Sequence, residues 1–444
     1  MSQLKILIMK LLLYTTAYPP RMQYVCQQVF SNWLGLQIGW TNDAIQYKNY
    51  IGFKLNYSTK ALETNDLLLP KSTLLFEKNL KNQPIFPIWY NKIPALFAVS
   101  VPNATFPFDI LATIFFHLSR YEEYLPFQAD RHGRFPASES WAYQNDCLQL
   151  PIVDLLVIEL KKALKKRFPT IVFKTQQFQF LPTYDIDMAW AFRHKGWKRN
   201  IGGYFNDLIK GQFTSLKNRI KTHLSLQNDP FQTFEWLDGM NRKFNLQPIY
   251  FFLLGDYAVY DTNNLVTAQP FQRLIHTLAT LYKIGMHPSY QSSGQQAIID
   301  KEKQRLIDIT QQTIQRSRQH FLKLHLPQTY RQLIQAGIKA DYSMGYAMTT
   351  GFRAGTSLPF YWYDLADETS TDLSIQPFQV MEVTLKEYLK LSPEAAKTHI
   401  QQLIATTKSV NGVFCSLWHN SSFSELEGWN DWENVYVDML ESIS

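Results

Sequence analysis

Apolar positions recur along the chain with two periods, and the two periods divide it into elements. From Lys5 to Tyr14 the run is continuously apolar apart from Lys5 and Lys10, the pattern of a buried strand, and Pro19 and Pro20 close it in a turn. Helical spacing follows from Arg21 to Leu34. It returns from Phe108 to Tyr124, where Ile110, Leu111, Ile114, Phe115 and Leu118 share a face. Ile152 to Phe168 places Val153, Leu156, Val157 and Leu160 on one side and Lys161, Lys162, Lys165, Lys166 and Arg167 on the other. That basic side reads as a solvated helix face, or as a surface attracted to an anionic polymer or membrane.

Beyond Phe178 strands and helices alternate. Phe178–Asp187, Pro248–Leu254, the Lys283–His287 run, Gln319–Leu324, Gly337–Asp341 and Val413–His419 read as strands. Phe231–Phe244, Phe271–Leu281, Asp300–Ser317, Pro327–Ala336 and Pro393–Ala405 read as helices. Ser392 is the expected N-cap of the last, with Pro393 in its first turn. Alternation of this kind predicts parallel βα units, whose sites collect at the C-terminal ends of strands. The chain has 444 residues, more than one ordinary core, and the change of pattern near 175 predicts two domains, 1–175 and 176–444.

Composition adjusts this picture little. The chain is 45% hydrophobic and 18% charged, which is globular and not disordered. A net charge of +7 is mild for the length, and no zinc-finger spacing or RNA-binding signature accompanies it, so no nucleic-acid partner is expected. Cys26, Cys147 and Cys415 are odd in number and widely spaced, which argues against a disulfide framework and fits a reducing compartment. No run is long and apolar enough to predict a transmembrane helix, and a cytoplasmic location is the simplest expectation.

Candidate chemistry sits at the predicted strand ends. In Thr183-Tyr-Asp185-Ile-Asp187 the two carboxylates stand at i and i+2, on one face of a strand, among apolar neighbours. They are solvated loop residues, or a repelling pair that a divalent cation neutralises. His287, in Ile284-Gly-Met-His287-Pro-Ser289, is a structural histidine or a nitrogen ligand beside Asp187. Arg318-Gln-His320 offers a guanidinium able to hold a carboxylate and a further imidazole ligand, or simply a basic strand start. His419, in Leu417-Trp-His419-Asn420, suits general acid work, or caps the strand. Arg353 between Gly351 and Gly355 is expected either to meet an anionic group or to sit in a tight loop. Tyr342, Tyr346, Trp362 and Trp418 line a sugar-binding groove or pack a core.

Taken in order, these motifs resemble those of the NodB-like polysaccharide deacetylases, carbohydrate esterase family 4. The matching stretches are Thr183-Tyr-Asp185-Ile-Asp187, His287-Pro-Ser-Tyr-Gln291, Arg318-Gln-His320-Phe321 and Leu417-Trp-His419. The resemblance covers Phe178 to Ser444. It implies an α/β fold, a distorted (β/α) barrel preceded by a smaller α/β N-terminal domain. The first region is similar to the uncharacterised domain found before such deacetylases in some bacterial proteins, through Leu12 to Arg21, Leu118-Ser-Arg-Tyr-Glu-Glu123 and Asp130-Arg-His-Gly-Arg-Phe135. The implied activity is metal-dependent removal of an N-acetyl group from an amino sugar in a glycan or glycan precursor. The implied roles are Asp185 as general base, Asp187 and His287 as metal ligands, Arg318 as the group orienting Asp185, and His419 as general acid. Arg353, Tyr342 and Trp418 would bind the N-acetylated carbohydrate. The implied cofactor is a divalent metal, zinc first, with cobalt or nickel as alternatives. The family's second motif histidine is Gln291 here, and His320 is the expected replacement ligand. That departure keeps two other readings open: a catalytically inactive module for glycan binding or assembly, and a hydrolase of another amide C–N bond.

Overall fold

The computed structural model describes residues 9–83 and 85–443. It shows a mixed α/β protein with a large, mostly parallel sheet. The first strand, β1, runs over Lys10–Tyr14, and the expected Lys5–Ile8 part lies outside the described residues. β1 pairs in parallel with β2 (Gln37–Thr41) and β3 (Phe53–Ser58), and β4 (Leu68–Pro70) completes a four-stranded sheet in the order β2-β1-β3-β4. Pro20 opens the following helix, where its missing N–H costs nothing. That helix, Pro20–Cys26, continues as a π-helical segment, Gln27–Trp33. A short ribbon, β5 (Ile88–Tyr90) and β6 (Ile93–Ala95), precedes the wholly buried helix Ile110–Leu118. The amphipathic helix Ile152–Arg167 buries Leu156, Leu160 and Leu164 and turns its lysines outward, the solvated face its periodicity predicts.

The second sheet has nine strands: β7 (Gln179–Ile186), β8 (Ile249–Phe252), β9 (Lys283–Met286), β10 (Arg316–Ser317), β11 (Ala340–Asp341), β12 (Phe360–Asp364), β13 (Thr369–Ile375), β14 (Val380–Met381) and β15 (Val413–His419). Their order is β12-β13-β11-β10-β9-β8-β7-β15-β14, parallel except for the β12–β13 hairpin. The all-buried β8, Ile-Tyr-Phe-Phe, is the continuous apolar run expected of a strand covered on both faces.

The expected barrel is not closed. Among the described residues nothing pairs β12 with β14. Along the outer edge of β12, the backbone of Pro359 and Tyr361 is bonded to side chains of the first region. Trp33 Nε1 donates to Pro359 O at 3.0 Å, Tyr24 Oη to Tyr361 O at 2.7 Å, and Tyr361 N to Gln28 Oε1 at 3.3 Å. These bonds cover part of that edge, one of the ways an exposed strand edge is protected.

The expected strand Gln319–Leu324 also takes another form. Pairing stops at Ser317, and His320–Leu322 is a 3-10 turn with Phe321 at φ 57°. The preceding helix ends at Thr310, earlier than expected, to release β10. The helices Trp197–Ile209 and Phe213–His223 and the β12–β13 hairpin are further elements, beyond those the hydrophobic pattern predicts.

Candidate metal and acid–base site

Five strands of the large sheet deliver polar side chains to one end of it. Asp185 is near the end of β7, and Asp187 lies one residue past it. His287 follows β9, Arg318 and His320 follow β10, Glu382 follows β14, and His419 ends β15. These are C-terminal strand ends, where a parallel sheet presents loops and no further strand blocks access. Asp185, Asp187, His287, His320 and His419 line a cleft of about 390 Å³, together with Leu322, Met381, Leu417 and Trp429, while Arg318 and Glu382 stand buried behind it. Arg134, from the first region, also lines it, with Nη1 donating to Phe321 O at 2.5 Å. A larger groove of about 1500 Å³ lies between the Gln23–Asn32 helical segment and β13, but no metal-ligating cluster of the described residues lines it.

Asp187, His287 and His320 converge, each offering a ligand atom within 4.8 Å of the others. His287 Nε2 is 3.3 Å from Asp187 Oδ1, and His320 Nε2 is 3.4 Å from Asp187 Oδ2. Tetrahedral bonds of about 2.0–2.1 Å place neighbouring ligands roughly 3.3 Å apart. The other ring nitrogens determine what these atoms are. His287 Nδ1 meets Arg318 O at 2.6 Å, and a carbonyl can only accept, so Nδ1 carries the hydrogen. His320 Nδ1 meets Asp261 Oδ1 at 3.0 Å, with the same consequence for the neutral ring. Each Nε2 of a neutral ring therefore turns a lone pair toward Asp187. Asp187 Oδ1 is buried with no hydrogen-bond donor of its own. Lone pairs facing a half-buried carboxylate call for a proton or a cation between them, and a carboxylate–histidine–metal relay uses these contacts. The donor set fits a divalent ion of the zinc class.

The field of the site favours positive charge, a proton or a cation, between these groups. Burial pushes the Asp187 carboxyl up, but His320, His287 and His419 outweigh it and hold it well below the usual range. Burial lowers the basicity of His320, yet Asp187 and Asp261 raise it to about 9.

Asp185 stands beside this cluster, 2% exposed, with Oδ2 3.7 Å from His287 Nε2. Arg318 Nη1 donates to Asp185 Oδ1 at 2.9 Å and to Thr183 Oγ1 at 2.7 Å, while its Nε donates to Tyr342 O at 3.0 Å. The guanidinium is fully buried, with Phe251 4.7 Å from it. His419, paired with Asp185 across β15 and β7, has Nε2 3.8 Å from Asp187 Oδ2 and Nδ1 2.7 Å from Glu382 Oε1. Burial lowers His419, but Glu382 beside it raises it to about 10, so the ring is cationic near neutrality.

Three of the expected substrate contacts are elsewhere. Arg353 is 3% exposed, and its guanidinium is taken by Glu123 of the first region and by Gly345 O. Trp418 is 1% exposed against Phe423 and Tyr436, because in β15 it faces away from Leu417 and His419. Tyr342 packs on Phe251, and its carbonyl is what reaches Arg318. Tyr346 and Trp362 are likewise buried. Gln291 stands outside the cluster, its backbone N–H donating to Asp261.

The sequence motifs missed two carboxylates, Asp261 and Glu382. Asp261 lies in the connection after β8 with no motif around it. It accepts from the backbone of Tyr290 and Gln291 as well as facing His320. Glu382 follows a two-residue strand; the apolar Val380-Met381 pair before it was the available signal.

Residues 11–169 match the model of a family of unknown function, DUF7033. No curated protein matches the chain. Among solved structures, a Mycobacterium smegmatis protein assigned to the polysaccharide deacetylases is 13% identical, with a TM-score of 0.38, over 61% of this chain and 84% of its own. A 4-alpha-glucanotransferase from Thermococcus litoralis is 10% identical, with a TM-score of 0.37, over 60% of this chain and 38% of its own.

Proposed function

We propose that the protein is a metal-dependent hydrolase that removes the acetyl group from an N-acetylated amino sugar. The convergence of Asp187, His287 and His320 beside Asp185 carries this reading. The acetamide substrate rests on the order of motifs from Thr183 to His419, which resembles that of the NodB-like deacetylases.

Asp187 and the two Nε2 atoms would hold the cation. A divalent ion there supplies Lewis acidity, polarising an acyl carbonyl and acidifying a water. Asp185 accepts the proton of the attacking water through Oδ2, since Oδ1 is held by Arg318. Arg318 fixes that carboxylate by bonding at the same time to Thr183 and Tyr342 O. His419, kept protonated by Glu382, gives its proton to the leaving amine. Proton acceptor and proton donor thus come from paired positions of the neighbouring strands β7 and β15.

Metal content and acetate release test the proposal together. The purified protein is expected to bind one ion per chain and to release acetate from N-acetylglucosamine oligomers. Asp187→Asn should lose the ion, while Asp185→Asn keeps it and loses about 10³-fold in rate. Absence of binding with zinc, cobalt and nickel alike would overturn the reading.

A further inference from the structure

The helices Trp197–Ile209 and Phe213–His223 form a hairpin inserted after β7 that is amphipathic the wrong way round for water. Its inner side holds an ion pair. Arg219 Nε donates to Asp207 Oδ2 at 2.7 Å, both side chains are nearly buried, and the guanidinium lies 4.8 Å from the Phe192 ring. Its outer side is apolar. Trp197, Ile201, Phe205, Leu208 and Ile209 are 48–82% exposed, and Phe213, opening the second helix, is 68% exposed. Spacings of four, four, three and one residues put the first five on one helical stripe. A hairpin that spends its interior on charge and leaves Trp and Phe outside buries its apolar surface against something else.

Charge says what that is. Residues 193–226 contain eight lysines and arginines against a single acid, Asp207, which equals the whole net charge of the chain. Lys198, Lys210, Lys217 and Lys221 form no ion pair with any carboxylate among the described residues. Apolar stripe, exposed tryptophan and unpaired lysines together are the composition of a helix lying in the interface of an anionic bilayer. No described helix is long and apolar enough to cross a membrane, so the contact is with its surface.

The geometry points to this hairpin as a docking surface for an anionic lipid membrane. Its position gives the docking a use. The hairpin is rooted at Ala191–Arg193, whose backbone N–H groups are held by Asp229, a few residues beyond Asp187. Asn420, next to His419, donates to Met188 O and Phe231 O and ties that root to the cleft end of the sheet. The docking surface is therefore rooted at the end of the sheet that carries the cleft residues. The docking itself does not depend on the reaction proposed above.

Vesicle co-sedimentation of the full chain tests it. Binding is expected to phosphatidylcholine vesicles containing about one-third phosphatidylglycerol and not to pure phosphatidylcholine. Lys198→Ala with Lys217→Ala should lower the partition coefficient about thirtyfold. Trp197→Ser with Ile209→Ser should lower it at least about tenfold. Both pairs are exposed, so circular dichroism and metal content should stay as in the wild type. Failure to bind the anionic vesicles overturns the proposal, as does binding that the Trp197/Ile209 pair leaves unchanged. A lipid-free dimer that the same pair converts to monomer would overturn it in favour of a second copy of the chain.

Discussion

His320 is held from both sides, by Asp261 through Nδ1 and toward Asp187 through Nε2. Its position was legible as a basic residue two places after Arg318, but the Asp261 contact was not, because 59 residues separate the partners. A carboxylate behind a ligand histidine fixes its tautomer and raises its donor strength. Asp261→Asn is therefore expected to weaken divalent-ion affinity about 10–100-fold, read by titration against a competing chelator. Unchanged affinity would mean that Asp261 serves only to bind the Tyr290 and Gln291 backbone. Arg353 teaches the converse. Glycines on either side of an arginine suggested reach toward a ligand, whereas Glu123 occupies the Nε–Nη2 edge of the guanidinium and Gly345 O takes Nη1.

At the scale of elements, long strands and helices follow their periodicity and short ones follow their neighbours. β15 spans Val413–His419 and the last parallel-sheet helix starts at Pro393 behind a Ser392 cap, both as the pattern predicts. β10, β11 and β14 have two residues each, too few for a period, and exist because adjacent strands supply hydrogen bonds. The helix Ile152–Arg167 carries its own sensor of packing. Asp154 in its first turn is buried and accepts from Ser357 N and Oγ at 2.8 and 2.6 Å, and from Thr356 Oγ1. Burial raises its carboxyl from 3.8 to about 6, against the pull of those hydroxyls. The folded state therefore holds the proton more tightly than the unfolded chain. This contribution to stability is complete below about pH 4 and lost as pH rises through about 6, a change of about 3 kcal/mol. Asp154→Asn cannot ionise, so its stability relative to wild type should rise by that amount between about pH 4 and pH 7 in denaturant titrations. A constant difference would show that the carboxyl titrates normally.

Across the whole molecule the first region is bound to the second by buried charge. Arg21 pairs with Glu368 and also donates to Leu74 O and Asn79 O. Glu123 bridges Arg120 and Arg353, all three nearly inaccessible, and Tyr346 Oη accepts from Arg120 at 3.3 Å. Burial alone would push the Glu123 carboxyl up, but the two guanidiniums hold it below its ordinary value. Replacing Glu123 by Gln leaves the buried Arg353 without a counter-charge and Arg120 with Glu122 alone, so a loss of about 3–5 kcal/mol is expected in chemical denaturation. A loss confined to a few tenths would mean that water reaches the bridge. The same region covers the β12 edge and sends Arg134 to the rim of the cleft, so it shapes the large sheet as well as joining it.

The sequence by itself determined the alternating αβ character, the buried β8, the strand ends at Asp185 and His419, and the solvated face of the Ile152–Arg167 helix. Each depends on a local period of two or 3.6 residues, and local periods are written in consecutive letters. Tertiary structure alone decided that the nine-stranded sheet stays open, that Asp261 and Glu382 stand behind the two histidines, and that Arg353, Trp418 and Tyr342 turn away from the cleft. Those outcomes depend on hydrogen bonds and ion pairs between residues tens to hundreds of positions apart. Such pairings are chosen by burial, because a buried polar group without a partner costs more than any local preference can return.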